Sequence, residues 1–231
     1  MEAILFDLDD TLLNRDHAVD NLFYIILEKY YGAIQDTLKM DMLQKFKEYD
    51  KRDYGFADKT NVLSSFFDAF PSTFQLPRHN MQEFWDQQFP YCFSIDQHTL
   101  KVLQLIKKQV QVGIITNGST QRQRAKITHT GLAIYFDVIL ISEEVGLTKP
   151  DKRIFELALH QLQVQPNEAL FVGDDLAKDI AGCQQARMKG IWFNPHRLMN
   201  PTDITPDAVI HSFDQLIKGR ALLNGSDPLK L

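Results

Sequence analysis

Short, unbroken apolar runs alternate along the chain with longer stretches in which apolar residues recur every three or four positions. The short runs are Ala3–Phe6, Val112–Ile115, Val138–Ile141, Ala169–Val172 and Gly190–Phe193. Runs this brief, ending abruptly in polar residues, predict strands buried on both faces. Between them, Thr99–Lys108 places Leu100, Leu103 and Ile106 on one stripe, Ser119–Thr130 ends at Gly131, and Ile154–Leu162 and Leu176–Met188 follow. These spacings predict helices, with Gly131 closing the second. Strands alternating with helices of this length imply right-handed crossovers, and hence an α/β fold with a parallel sheet and helices on both faces.

The alternation is interrupted once. Residues 16–93 show no strand pattern, only helical runs near Val19–Tyr31, Thr37–Tyr49, Asn61–Phe70 and Asn80–Phe89, punctuated by Pro71, Pro77 and Pro90. The expected organisation is therefore a catalytic core of residues 1–15 and 94–231 with a helical domain, 16–93, inserted after the first strand. The region from Asn14 to Ile95 holds 17 of the 25 aromatic residues, enough for a compact helical core of its own. Lys51–Phe56 breaks the helical pattern with two cations, two aromatics and a glycine. That composition suits substrate contact, which makes Arg52 and Tyr54 candidates. Residues 222–231 read as a frayed tail.

Composition narrows the function. The chain has 231 residues, 44% of them apolar, so a sizeable core needs no cross-links. The two cysteines, Cys92 and Cys183, form neither a disulfide framework nor a zinc spacing, and the seven histidines show no metal spacing. A net charge of -5 argues against a nucleic-acid partner. No apolar run is long enough to span a membrane, and no basic leader precedes the first strand, so the expected location is the cytoplasm. Nothing in the chain signals an oligomeric state.

In an open parallel sheet, chemistry gathers at the carboxyl ends of the strands. There the sequence places Asp7, Asp9, Asp10 and Thr11 after the first strand, and Thr116-Asn117-Gly118 after the second. Thr148-Lys149-Pro150 lies just past the third, and Gly173-Asp174-Asp175 follows the fourth, with Asp179 further on. Asp7 and Asp9, two positions apart on extended chain, point to the same side. Crowded carboxylates repel unless a cation joins them, and magnesium favours carboxylate, water and phosphate oxygens. Asp7 and Asp174 are natural ligands for it. Lys149 and Thr116 suit the remaining oxygens of a phosphate, helped by the helix N-terminus at Ser119. Asp151 reads as a helix cap and Asp10 as structural.

Phe6-Asp7-Leu8-Asp9-Asp10-Thr11-Leu12, Ile115-Thr116-Asn117-Gly118, Lys149-Pro150 and Gly173-Asp174-Asp175 with Asp179 resemble, in order, the four motifs of the haloacid dehalogenase-like superfamily. The resemblance covers essentially the whole chain. It implies a Rossmann-like core with an inserted α-helical cap of the superfamily's first class. It also implies roles: Asp7 as the nucleophile that forms an aspartyl phosphate, and Asp9 as general acid and then base, which requires a raised pKa. Thr116, Asn117 and Lys149 would bind the phosphate end of the substrate, with Arg52 and Tyr54 contacting the rest of it from a specificity loop of the cap. Asp7, the Asp9 carbonyl and Asp174 would hold magnesium, with Asp175 or Asp179 supporting them. The implied partner is a small-molecule phosphomonoester.

Ile141–Gly146 and Ile154-Phe155, with these motifs, are similar to the capped nucleoside 5′-monophosphatases and the N-acylneuraminate-9-phosphatases. An aromatic cap that could stack a base favours a nucleotide. A sugar or organic-acid phosphate phosphatase stays open, as does a sugar phosphomutase, which shares the acidic set. A haloacid dehalogenase needs neither Asp9 nor Asp174. A phosphonate hydrolase needs a cap lysine that nothing marks. A phospho-receiver module carries its aspartate after an internal strand and has no long insertion. A non-catalytic binding protein would show substituted catalytic positions, and none is visible.

Overall fold

The computed structural model describes residues 1–74 and 76–218; the expected tail at 222–231 lies outside the described residues. The chain enters β1 (Ala3–Phe6) and turns sharply through Leu8–Leu13. There Leu12 and Leu13 both donate to the Leu8 carbonyl, and Asp10 donates to that of Leu13. Asp10 takes a left-handed backbone (φ 60°), which aspartate tolerates, and its Oδ1 accepts from the Arg15 amide at 3.1 Å.

This turn launches the insertion: α1 (Arg15–Tyr30), α2 (Asp36–Arg52), α3 (Thr60–Ala69) and α4 (Met81–Gln88). Asn14 caps α1 by accepting from the His17 amide. Phe23, Phe46 and Phe66 are fully buried, their ring centroids 5.3–6.0 Å apart. Each contributes about 1.5–3 kcal/mol by leaving water. The apolar cluster runs on through Trp85, Phe89 and Phe93 to Phe6, Val112 and Ile114, so these helices and one face of the sheet share one apolar core.

α5 (Gln97–Lys107) leads back to β2 (Gln111–Thr116), followed by α6 (Thr120–His129), β3 (Val138–Ile141), α7 (Ser142–Val145) and α8 (Lys152–Leu162), which Asp151 caps. Then come β4 (Ala169–Gly173), α9 (Ala181–Gln185), β5 (Lys189–Phe193), β6 (Ala208–Ile210) and α10 (Asp214–Lys218). All the strand pairings are parallel, in the order β3-β2-β1-β4-β5-β6. The sheet is the parallel one the alternation predicts, in the Rossmann-like form the resemblance implies. Its edge strand β6 escaped the pattern because three residues with a partly exposed centre make no apolar run.

The helix expected over Leu176–Met188 is in fact broken. A wide π-type turn, Leu176–Ile180, precedes α9, which ends at Gln185. Asp175 caps the turn by accepting from the amides of Ala177 and Lys178. The turn swings Asp179 back under β4, so close that a Cβ on Gly173 would collide with its carboxylate. Among the described residues Cys92 and Cys183 are buried and free, and no helix is long and apolar enough to cross a membrane.

Candidate active site

Strand order reverses between β1 and β4, and the crevice at their carboxyl ends collects the acidic residues. Asp7 follows β1 directly, its amide donating to the Val172 carbonyl of β4 at 2.9 Å. Lys149 reaches it from the loop after α7. Its Nζ lies 2.5 Å from Asp7 Oδ1 and 2.7 Å from Asp179 Oδ1. Asn117 aims that loop: its Oδ1 accepts from the Lys149 amide at 2.9 Å and its Nδ2 donates to the Lys149 carbonyl at 3.0 Å. Burial alone would lower the Lys149 pKa, but Asp179 and Asp7 raise it above the usual lysine range, so the ammonium stays charged.

Asp174 completes the cluster from the end of β4. Thr11 donates to its Oδ1 at 3.1 Å, and the Trp192 indole donates to its carbonyl at 2.8 Å. Asp7, Asp174 and Asp179 each offer an oxygen within 4.8 Å of the others. One ammonium does not offset three such charges. Burial, with Asp179 and Asp9 nearby, pushes Asp7 up to about 7 against the pull of Lys149. Burial, with Asp7 and Asp179, pushes Asp174 up to about 8. A hard divalent cation fits this imbalance. Both Asp179 oxygens already accept hydrogen bonds, from Lys149 and from the Asp175 amide, which leaves Asp7 and Asp174 as the available carboxylate ligands.

Asp9 departs from expectation. An acid role calls for a raised pKa, yet its carboxyl is held below the usual range: burial works upward, but Lys126 and Gln123 outweigh it. Lys126 Nζ lies 2.8 and 2.7 Å from the two Asp9 oxygens, and Gln123 Nε2 lies 3.1 Å from Oδ2. The same Gln123 nitrogen donates to Thr116 Oγ1 at 2.6 Å, leaving the threonine hydroxyl proton free to donate elsewhere. The sequence reading passed over both residues. The available signal was the polar inward stripe of α6, where Gln123 and Lys126 are buried beside Ile127. The backbone donors at the start of α6 are partly spent. Gly118 donates to Ser142 Oγ and Thr120 to Glu143 Oε2.

A cavity of about 500 Å³ opens above these groups, roofed by the insertion. Tyr54 lines it, its ring 5.0 Å from the Arg15 guanidinium, which is itself paired with Asp50 at 2.5 and 2.7 Å. Arg52 does not line it. Asp53, at 2.8 and 3.1 Å, and the Tyr49 ring, at 5.3 Å, hold its guanidinium outside. Besides Lys126, Lys149 and Lys178, the cations lining the cavity are Arg15, Lys59 and Arg122, the last donating to the Ala57 carbonyl at 3.1 Å and so tying α6 to the helices that follow β1.

The model of the haloacid dehalogenase-like hydrolases matches residues 4–193. The chain belongs to that family. The haloacid dehalogenase-like match contains every strand-end group described above and stops short of β6 and α10. Among curated relatives in the family, pyrimidine 5′-nucleotidase YjjG of Escherichia coli is 38% identical over 92% of this chain and 95% of its own length. Glyceraldehyde 3-phosphate phosphatase of Pyrococcus furiosus is 30% identical over 98% of this chain and 96% of its own. Among solved structures, the putative HAD-hydrolase YfnB of Bacillus subtilis superposes with a TM-score of 0.76 at 22% identity, over 96% of this chain and 98% of that one.

Proposed function

We propose that this chain is a magnesium-dependent phosphatase acting on nucleoside 5′-monophosphates, pyrimidine ones first, through an aspartyl phosphate on Asp7. The observation that carries this is the buried Lys149 ammonium bridging Asp7 and Asp179 opposite Asp174. That arrangement holds a carboxylate nucleophile in place and offers a dianion a positive anchor. The 38%-identical relative is a pyrimidine 5′-nucleotidase, and the roof presents Tyr54, Trp85 and Phe89 on the leaving-group side.

An Asp7 oxygen attacks phosphorus in line while Lys149 and Thr116 steady the phosphoryl oxygens. Asp9, mostly ionised beside Lys126, acts from its minor protonated form: it gives that proton to the departing 5′-oxygen, and the carboxylate left behind takes one from the water that cleaves the Asp7 acyl phosphate, which regenerates the free Asp7 carboxylate. Asp7, Asp174 and the Asp9 carbonyl would hold magnesium, which when bound would supply the positive charge that offsets these carboxylates toward a dianion. Residues 16–93 act as a cap over this chemistry, hinging near 14–16 and 93–95 to admit substrate and release product.

Protons compete with the metal for Asp7 and Asp174, both with raised pKa values. Magnesium should therefore raise the melting temperature more at about pH 8 than at about pH 5.5, as read by calorimetry. An equal shift at both would remove these carboxylates from the metal site.

The substrate test is phosphate release from the five common nucleoside 5′-monophosphates, glyceraldehyde 3-phosphate and sugar phosphates, with magnesium and with a chelator. Pyrimidine nucleotides should lead by at least tenfold, with turnover lost on chelation. Preference for glyceraldehyde 3-phosphate, the substrate named for the 30%-identical relative, would overturn the nucleotide assignment. No release from any ester would overturn the phosphatase reading.

A further inference from the structure

Burying a lysine is costly, and a buried ion pair is commonly matched or bettered in stability by apolar side chains of similar size. Lys126 is 4% exposed and faces the carboxylate of Asp9 with both oxygens in reach. Its ammonium also lies 4.4 Å from the Phe93 ring centroid and 5.8 Å from that of Phe89, on the segment where the insertion returns to the core. Burial lowers its pKa, and Arg15 and Arg122 nearby add to that, so the Asp9 carboxylate is what keeps the cation in place. Stability alone gives little reason to spend a lysine here.

Gln123 adds a second fixed point. A single amide nitrogen spans Asp9 Oδ2 and Thr116 Oγ1. The end of its side chain packs against Gly118, where a Cβ would lie 3.1 Å from Gln123 Cδ and the backbone (φ 145°) disfavours one in any case. The Asp9 carboxylate therefore has its orientation set by two donors on one face of α6, one resting on the aromatic floor at the cap return, the other bonded to the phosphate-site threonine.

We propose that Lys126 and Gln123 are positioning residues for the proton-transfer carboxylate Asp9, with Lys126 holding its plane and Gln123 locking it to Thr116. The proposal rests on the phosphatase reading, in which Asp9 serves the leaving oxygen. Neither residue touches the reacting atoms. Their effect is on where the proton is delivered, and a small misplacement of such a group is expensive in rate.

A leaving group that departs without a proton separates this role from a purely structural one. The measurement is kcat/KM, which reports steps up to leaving-group departure, for the best alkyl phosphate of the panel and for p-nitrophenyl phosphate. The variants are Lys126→Met, Lys126→Arg, Gln123→Met and Asp9→Asn, with Lys126→Met also combined with Asp9→Asn. Lys126→Met should lower the alkyl-to-nitrophenyl ratio at least tenfold. Gln123→Met should lower it less in the same direction, and Lys126→Arg should restore most of it. Adding Lys126→Met to Asp9→Asn should cost nothing further, because one residue acts through the other. Equal losses on both substrates, or an unchanged ratio in both single variants, would overturn the proposal. If Asp9→Asn lowers the ratio while Lys126→Met does not, only the positioning role falls. If Asp9→Asn leaves the ratio unchanged, the acid role of Asp9 falls and this proposal with it.

Discussion

Asp7→Asn should reduce kcat on the order of 10⁴-fold while leaving the fold intact. The amide keeps the shape of the carboxylate but is no nucleophile toward phosphorus, so the acyl phosphate cannot form and only residual binding effects remain. At about 1.4 kcal/mol per tenfold, this removes roughly 5–6 kcal/mol of transition-state stabilisation. The structure adds a signature that separates chemistry from damage. In the absence of metal, Asp7 is a buried acid whose pKa is driven up to about 7 by burial and by Asp179 and Asp9. Neutralising it relieves crowding, so the metal-free melting temperature should hold or rise, while the stabilisation by magnesium shrinks. Steady-state phosphate release with and without magnesium, alongside calorimetry, tests both halves. Activity within tenfold of the unsubstituted protein would remove Asp7 as the nucleophile.

Lys149→Met should damage activity and stability together. Lys149 is 4% exposed, and its ammonium bridges two buried carboxylates, Asp7 and Asp179. Removing one partner of such a pair strands the others, at a cost of about 3–5 kcal/mol. Urea unfolding should show that loss near pH 8. It should ease as the pH falls, because Lys149 is what opposes the upward push of burial on the Asp7 carboxyl, and without it Asp7 protonates more readily and a neutral carboxyl tolerates burial better. Turnover should fall by about 10³-fold or more through loss of the phosphoryl anchor. Destabilisation that is small and independent of pH would mean that water already reaches this cluster and that the bridge is weaker than its geometry implies.

Each strand-end motif announced its chemistry in the sequence because strand and function are local there. A four-residue apolar run ending in Asp7-Leu8-Asp9 marks both a β-strand and the place where it meets solvent. Helices between the first two strands were legible for a similar reason, since the sequence there shows helical runs and no strand pattern. Arg52 was a candidate contact because it sits in an aromatic loop, and Arg15 carried no such local signal. Yet a guanidinium goes where its acceptors are: Asp53, the next residue, holds one outside the cavity, and Asp50, 35 positions from Arg15, holds the other against it. Asp179 looked ambiguous because its role depends on a π-type turn that helical periodicity does not encode.

What the amino-acid order determined by itself was the parallel α/β sheet, the helical insertion after its first strand, and the acids, threonine and lysine at the strand ends. These follow from nearest-neighbour patterning and from the rule that parallel strands present their carboxyl ends to one edge. Only the tertiary structure decided the partners: Lys149 with Asp7 and Asp179, Lys126 and Gln123 with Asp9, Thr11 with Asp174. Those pairs join residues 30 to 163 positions apart. Charge and hydrogen bonding act through space over a few ångströms, so the protonation state and aim of each catalytic group are settled where the chain crosses itself, which its linear pattern does not record.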